Sequence, residues 1–210
     1  MTTSKEIAER FNVDGSQPLV EIPDMDRRDL AMLFGELGFT NGAEIGVERA
    51  VYSKMILRRT DGCHLYCVDP WKAYRGYREH VSQEKLDRFY EEATTRLEPY
   101  NVTVIRDFSV PASAYVPDGS LDFVYIDGNH ELSHVVADLT AWVPKVKAGG
   151  IVAGHDYISR KDPAYQMHVV EGVHAYVHAW RIEPLFIVGT KAVEPGQKRD
   201  DVRSWFWVKE

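Results

Sequence analysis

Residues 121–157, LDFVYIDGNHELSHVVADLTAWVPKVKAGGIVAGHDY, decide the fold. The run LDFVYID is apolar, is rich in β-branched and aromatic residues, and ends at Asp127; a second apolar run, IVAGHD, ends at Asp156. Between them, LSHVVADLTAWVPKV carries apolar residues at the spacing of a helix that buries one face. Two strands separated by a helix of this length predict a parallel βαβ unit.

The same alternation extends to both sides of this unit. Helices are expected at 26–37, 52–59, 83–97 and 169–180, and strands at 42–47, 64–69, 101–107, 184–189 and 204–209. The alternation predicts an α/β fold, a doubly wound, mostly parallel sheet of seven strands between two layers of helices. The last strand follows the sixth too closely for a helical crossover, so we expect it to be antiparallel. Residues 1–39 are expected to form an N-terminal arm and helix, and residues 40–210 a single domain.

The composition disfavours several classes of protein. The chain has 210 residues and a net charge of −7, whereas proteins that bind nucleic acids usually carry a basic surplus to neutralise phosphates. Neither a signal-peptide segment nor an apolar run long enough to span a membrane is present. Cys63 and Cys67 are too few for a disulfide framework. We therefore expect a cytoplasmic protein with no nucleic-acid or membrane partner, and the sequence leaves a homo-oligomer open.

Carboxylates gather at the ends of the predicted strands. Four strands end at an aspartate, and Glu44 lies inside the first strand; the aspartates are Asp69, Asp107, Asp127 and Asp156. One carboxylate in such a place can simply cap a helix or accept backbone amides. Because open α/β sheets bind ligands outside the carboxyl ends of their strands, so many together indicate a ligand site.

Two stretches of this sequence resemble a known family. Glu44-Ile45-Gly46-Val47 followed by Tyr52-Ser53 resembles motif I of the class I S-adenosylmethionine-dependent methyltransferases. Residues 121–157 resemble a subgroup that includes macrocin O-methyltransferases and cephalosporin-hydroxylase-like proteins. The resemblance implies a Rossmann-like, three-layer αβα domain that transfers a methyl group from S-adenosylmethionine to a small-molecule acceptor. It favours a hydroxyl of a sugar or other small metabolite and leaves a nitrogen acceptor open.

The resemblance also implies a set of cofactor contacts: Glu44, Gly46, Val47, Tyr52, Ser53, Asp69, Trp71, Asp107 and Phe108. Gly46 lets the backbone turn tightly and approach the cofactor without a Cβ atom. Asp69 stands where the family places the carboxylate that accepts from the ribose diol. Asp107 matches the acidic position beside the adenine amino group.

A hydroxyl acceptor needs a base, and the candidate is His130. The resembling sugar O-methyltransferases carry Asp-x-x-His at this place, which supplies a metal ligand and the base, and Asp127-Gly128-Asn129-His130 matches it. Imidazole, with an unperturbed pKa of about 6.5, suits proton transfer near neutral pH. His130 could instead brace the loop or cap the following helix, and the sequence leaves both roles open.

A divalent metal is the second open question. Asp127 and Asp156 end neighbouring strands and could ligate Mg²⁺ or another divalent ion, with His155 beside them. The resembling metal-dependent proteins carry an acidic residue in place of His155, and a nitrogen ligand favours a transition metal. Arrangements with and without a metal both stay open.

Two other functions share these features. An NAD-dependent oxidoreductase also begins with strand, glycine and helix, although GxGxxG is absent from this chain. A cofactor-binding protein without catalysis would keep only the pocket. In addition, the segment 71–82, WKAYRGYREHVS, is either a lid that faces the substrate or a surface loop that packs its aromatic rings on the core.

Overall fold

The computed structural model describes residues 3–74, 82–162, 165–192 and 194–210 and confirms the α/β fold. Its helices are α1 (Thr3–Phe11), α2 (Arg27–Glu36), α3 (Val51–Leu57), α4 (Gln83–Leu97), α5 (Ser109–Ala112), α6 (Leu132–Trp142) and α7 (Val169–Trp180). Its strands are β1 (Leu19–Ile22), β2 (Asn41–Ile45), β3 (His64–Val68), β4 (Val102–Ile105), β5 (Leu121–Ile126), β6 (Val146–Gly154), β7 (Ser159–Asp162), β8 (Tyr165–His168), β9 (Leu185–Val188) and β10 (Trp205–Val208). Within these ranges, no helix is long and apolar enough to cross a bilayer.

One large sheet, with strand order β1-β9-β10-β6-β5-β2-β3-β4, forms the centre of the molecule. β10 is antiparallel to both β6 and β9, as the short connection before it predicts. The remaining pairs of this sheet are parallel. The Rossmann-like, mostly parallel arrangement is therefore confirmed.

The number of strands differs from the prediction: the described residues form a sheet of eight strands and not seven. The additional strand is β1, which lies in the segment expected to be an arm and pairs in parallel with β9, with Val20 opposite Phe186. Its four residues, LVEI, are too few for a period-two pattern to stand out from the surrounding sequence. The N-terminal segment thus contributes to the sheet itself.

A short antiparallel pair, β7 and β8, also lies outside the predicted elements. It follows the carboxyl end of β6, and the backbone N–H of His168 donates to the carbonyl of His130 over 2.8 Å. The pair is consequently tied to the loop that leaves β5.

Apolar layers cover both faces of the sheet. On one face, Phe123 of β5 stacks on Phe34 of α2, with ring centroids 4.2 Å apart. On the other face, Trp142 of α6 is fully buried in a cluster that includes Val124 of β5. All six residues of β5 are buried, as expected for a central parallel strand with helices on both sides.

Helix α2, which packs on the sheet, has a clear start signal. The Asp26 side chain accepts from the backbone of Asp29 over 3.3 Å, and the Asp29 side chain accepts from the backbone of Asp26 over 2.9 Å. This reciprocal capping box satisfies donors that would otherwise be unpaired at the helix end. It explains why the predicted helix over 26–37 is observed with nearly the same bounds.

The strand order also determines which segments lie side by side at the carboxyl edge of the sheet. β6, β5, β2, β3 and β4 are consecutive neighbours. The segments that follow them carry, in that order, Asp156, Asp127, Gly46, Asp69 and Phe108. The chain winds away in opposite directions from the β2–β5 boundary, which makes this boundary the switch point where open α/β sheets bind ligands.

Candidate functional site

A cavity of about 610 Å³ lies at this carboxyl edge. Its walls include predicted site residues from each of the five neighbouring strands. These are Gly46, Asp69, Trp71, Phe108, Asp127, His130 and Asp156. The structure therefore brings together residues that the sequence places up to 110 positions apart, from Gly46 to Asp156.

The loop after β2 depends on Gly46. Gly46 has a φ of +90°, a conformation that L side chains rarely adopt. A Cβ atom at this position would lie 2.0 Å from the carbonyl oxygen of Asp127, so the loops after β2 and β5 can approach only without a side chain. Close contact of these two loops forms the floor of the cavity.

Four of the predicted cofactor residues lie behind this loop, and they are absent from the cavity walls as far as the described residues form them: Glu44, Val47, Tyr52 and Ser53. Glu44 is buried and accepts a hydrogen bond from the Ser53 hydroxyl. Burial raises the pKa of Glu44 to about 8, although the Ser53 hydrogen bond acts in the opposite direction. Tyr52 donates from its hydroxyl to the carbonyl of Arg27 over 2.9 Å. In the structure these four side chains lie on the core side of the loop, and their contact with a cofactor stays a prediction.

Asp69 joins the loops that follow β2 and β3. Its carboxylate accepts the backbone N–H of Glu48 over 2.9 Å and that of Trp71 over 2.7 Å. Burial nevertheless raises the pKa of Asp69, and the backbone hydrogen bonds counteract this only in part. Trp71 has a φ of +38° and donates from its indole nitrogen to the carbonyl of Glu48 over 2.7 Å. The carboxylate retains lone pairs that a diol in the cavity could use.

At the end of the cavity near β4, the structure separates two of the predicted residues. Phe108 lines it, whereas the carboxylate of Asp107 accepts the N–H of Phe108 over 2.7 Å and is not among the described wall residues. The wall residues here that were not predicted from the sequence include Ser109, and Asp138 of α6, which is only 5% exposed. The sequence did hold a signal for Asp138: it is a charged residue on the buried face of an apolar helix. Ionised groups are rarely buried without a partner, so such a residue is a candidate for a site.

His130 lies between two carboxylates at the other end of the cavity. Its Nε2 atom is 3.0 Å from Oδ2 of Asp156 and 3.8 Å from Oδ1 of Asp127. Burial raises the pKa of Asp127. The pKa of Asp156 is well below its usual range because hydrogen bonds and charges from His130 and His155 outweigh its burial. Asp156 itself has a φ of +53°, a strained conformation of the kind that clusters at functional sites.

His155 lies against the same carboxylates. Its Nδ1 atom is 3.2 Å from Oδ2 of Asp156 and 4.0 Å from Oδ1 of Asp127. Burial opposes the charged form, but the hydrogen bond with Asp156 and the two carboxylate charges raise the pKa of His155. Its Nε2 atom is buried and has no hydrogen-bond partner within the described parts of the chain.

The donor set suits a divalent cation. Ligand atoms of Asp127, His130 and Asp156 lie within 4.8 Å of one another. Two oxygen donors and one nitrogen donor form a mixed set of the kind that transition metals accept. Among the described residues, His130 and not the predicted His155 supplies the nitrogen atom that lies within this spacing.

The aromatic segment after Trp71 is described only at its start and its end, since residues 75–81 lie outside the described ranges. Tyr74 lines the cavity and accepts a hydrogen bond from the Asn129 amide over 2.9 Å. Its ring contacts that of Phe108 edge-on, with centroids 5.2 Å apart. Tyr74 therefore links the loops after β3, β4 and β5 across the cavity.

Comparison with known proteins agrees with this geometry. A family model described as a methyltransferase domain matches residues 43–157. Among curated proteins, no significant match is found. The chain is similar to the O-methyltransferase from Bacillus cereus solved in complex with SAH, with 16% identity, a TM-score of 0.59, and coverage of 99% of this chain and 90% of that chain. It is also similar to the O-methyltransferase TomG from Streptomyces achromogenes solved in complex with SAM, with 16% identity, a TM-score of 0.60, and coverage of 99% and 88%.

At these identities the two solved structures establish only that the fold is shared. The family model identifies the domain as a methyltransferase domain. The matched segment runs from β2 to the residue after Asp156, so it contains the carboxyl-edge loops after β2, β3, β4, β5 and β6. Because this segment makes up more than half of the chain, the chain belongs to the methyltransferase domain family and is a class I S-adenosylmethionine-dependent methyltransferase.

Proposed function

We propose that this enzyme methylates a hydroxyl group of a sugar or other small metabolite, with His130 as the general base. The observation that carries the proposal is the position of His130 at the cavity wall, 3.0 Å from Asp156 and 3.8 Å from Asp127. An imidazole in this place can accept a proton from an acceptor hydroxyl. The imidazolium that results would be stabilised by both carboxylates.

The order of the strands suggests how the cofactor lies in the cavity. Asp69 at the end of β3 suits the ribose diol, and the loop containing Gly46 suits the methionine moiety. The reacting sulfonium then points towards the loops after β5 and β6, where Asp127 and Asp156 lie. Carboxylates in these walls favour a cationic donor over a neutral one.

S-adenosylmethionine supplies a methyl group that is activated by the positive charge on sulfur. In an in-line displacement, the bond from acceptor oxygen to methyl carbon forms while the bond from carbon to sulfur breaks. His130 takes the hydroxyl proton, so a neutral ether and S-adenosylhomocysteine result. Alignment of the two reactants contributes roughly 7–11 kcal/mol to such a reaction, and the base contributes roughly 10²–10⁴-fold in rate.

A divalent cation is compatible with the same residues. Asp127, Asp156 and His130 would hold it, because their ligand atoms lie within 4.8 Å of one another. A cation there would lower the pKa of the acceptor hydroxyl and orient it. His130 would in that case be a metal ligand, and a chelator would inhibit the enzyme. If His130 is a base without a metal, a chelator would have no effect on the rate.

The solved relatives support oxygen as the acceptor atom, since the Bacillus cereus and Streptomyces achromogenes proteins are both described as O-methyltransferases. The acidic walls around His130 support it as well, because a hydroxyl must lose its proton to become an ether, and a nearby base assists that loss.

The proposal is tested by two measurements on the purified protein. Titration calorimetry should detect binding of S-adenosylhomocysteine. Transfer of a labelled methyl group should be observed with members of a panel of glycosides, sugar derivatives and phenols, and mass spectrometry should place it on oxygen. Stabilisation by NAD in place of S-adenosylmethionine would overturn the proposal in favour of an oxidoreductase. Cofactor binding without transfer to any acceptor, or transfer to nitrogen, would overturn the hydroxyl assignment.

A further inference from the structure

We propose that Asp138, together with Ser109, recognises the exocyclic amino group of the cofactor adenine. This inference rests on the proposed cofactor and deepens it, because it identifies a residue that selects adenine among purines. The resemblance in the sequence assigns that role to Asp107, so the two assignments compete.

The sheet order places the adenine near β4. The reacting end of the cavity lies at β5 and β6, and Asp69, the residue suited to the ribose, follows β3. β3 has β2 on one side and β4 on the other. A nucleoside whose ribose meets Asp69 and whose sulfur points towards β5 must therefore direct its base towards the segment after β4. That segment begins with Phe108 and Ser109, which both line the cavity.

Asp138 reaches this end of the cavity from α6. It is 5% exposed and belongs to the cavity wall. A Cβ atom on Gly128 would lie 3.3 Å from Oδ2 of Asp138. The absence of a side chain at Gly128 thus leaves room beside the Asp138 carboxylate.

The hydrogen bonds around Ser109 leave Asp138 with acceptor capacity. The indole N–H of Trp142 donates to Oγ of Ser109 over 2.8 Å. The Ser109 hydroxyl in turn interacts with the Asp138 carboxylate and partly offsets the rise in its pKa that burial causes. A carboxylate has about four lone-pair sites, and the Ser109 hydroxyl occupies at most one of them. The amino group of adenine offers two N–H donors, and these would fill lone-pair sites that remain on the buried Asp138 carboxylate.

The carboxylate of Asp107 is placed differently. It accepts the backbone N–H of Phe108 over 2.7 Å and does not contribute to the described cavity wall. Asp138 is also the more buried of the two, and a hydrogen bond from a ligand gains most where water is excluded. The burial that raises the pKa of Asp138 to about 6 still leaves it mostly ionised above neutral pH.

The test compares S-adenosylhomocysteine with its purine analogue, in which a hydrogen replaces the 6-amino group. We expect the unmodified enzyme to bind the adenine form roughly 100-fold more tightly, the range for a hydrogen bond to a buried charge. Asp138→Asn should reduce this preference to less than about 10-fold, since a neutral amide gains less from the donor. Ser109→Ala is a milder change that should also reduce the preference for the adenine form. It replaces Asp138→Asn in the test if that variant does not fold. Asp118→Asn, on the surface beside Lys145, is the matched control.

Each outcome has one meaning. Equal binding of both compounds by the unmodified enzyme overturns the assignment of Asp138, and so does a preference that survives in folded Asp138→Asn and Ser109→Ala. Loss of the preference in Asp107→Asn with retention in Asp138→Asn favours the competing assignment and overturns ours. Failure of the unmodified enzyme to bind S-adenosylhomocysteine at all contradicts the proposed cofactor instead.

Discussion

Gly46 and Asp127 are in such close contact that a Cβ atom on Gly46 would lie 2.0 Å from the Asp127 carbonyl oxygen. The contact joins the loops on either side of the switch point. The backbone N–H of Asp127 also donates to the carbonyl of Ile45 over 2.7 Å. The part of the site that holds the cofactor and the part that holds the base are therefore packed directly on each other.

Gly46→Ala is expected to damage both stability and cofactor binding. The substitution places a side chain at a φ of +90° and forces it against backbone that has little freedom to move. Urea unfolding should show a loss of more than about 2 kcal/mol, and S-adenosylhomocysteine affinity should fall. Gly62→Ala is the matched control, because Gly62 also has a positive φ of +67° but nothing lies within 4 Å of its added Cβ atom. It should cost only about 1–2 kcal/mol. An equal loss in both variants would show that the contact with Asp127 does not matter.

His130→Ala and Asp127→Ala are expected to abolish turnover while cofactor affinity stays within a few fold. Removal of the base should lower the rate by roughly 10²–10⁴-fold. Labelled-methyl transfer measures the rate, and calorimetry with S-adenosylhomocysteine measures affinity. His178→Ala, an exposed histidine of α7, is the control and should keep full activity. Substantial activity in both site variants would refute the assignment of base and carboxylate.

A chelator distinguishes a site that holds a divalent ion from one in which His130 acts without a metal. If Asp127, His130 and Asp156 hold a divalent ion, dialysis against EDTA should remove activity, and Mn²⁺ or Mg²⁺ should restore it. Calorimetry should then detect Mn²⁺ binding that is lost in Asp156→Asn. An enzyme that keeps its full rate after EDTA and binds no Mn²⁺ uses His130 without a metal.

Glu44 should make stability depend on pH. Its pKa is about 8 in the folded protein, whereas a Glu side chain in an unfolded chain has a pKa of about 4.3. Between these values the folded state holds a proton that the unfolded state has released, so stability should fall as pH rises from about 5 to about 8. The fall has a limiting slope of about 1.4 kcal/mol per pH unit.

Glu44→Gln removes this pH dependence of stability, since Gln stays neutral and can still accept a hydrogen bond from the Ser53 hydroxyl. Urea unfolding of both proteins at several pH values should therefore give a difference in stability that grows towards pH 8. Parallel pH profiles for the two proteins would show that Glu44 is not the group responsible.

The sequence predicts well the parts of the fold where burial imposes a pattern. β5 and α6 are long, apolar and regular, and the structure has them at the expected places. β1 has only four residues and the four residues of β7 are all polar, so neither produces a periodic signal. Carboxylates at strand ends could be predicted to share one edge, because parallel strands bring their carboxyl ends together.

What the sequence does not determine is which side chains point into the cavity. Glu44 and Gly46 are only two residues apart, yet one is buried in the core and the other is at the cavity floor. Asp107 was expected at the cavity and Asp138 was not, yet Asp138 lines it, while the carboxylate of Asp107 accepts the neighbouring backbone N–H of Phe108. Such differences depend on single φ and ψ angles in loops, which the residue pattern does not encode.

The pairing of β1 with β9 has a consequence for shortened variants of this chain. β9 consists of the apolar residues LFIV, and all four are buried. Deletion of residues 1–24 would expose the backbone edge of β9, which is the kind of unprotected edge that recruits strands from other molecules. β1 is an edge strand that is less prone to pair with other molecules, because it is short and lies between Pro18 and Pro23. A soluble minimal fragment must therefore begin ahead of Leu19, even though the residues that surround the cavity begin only at Ile45.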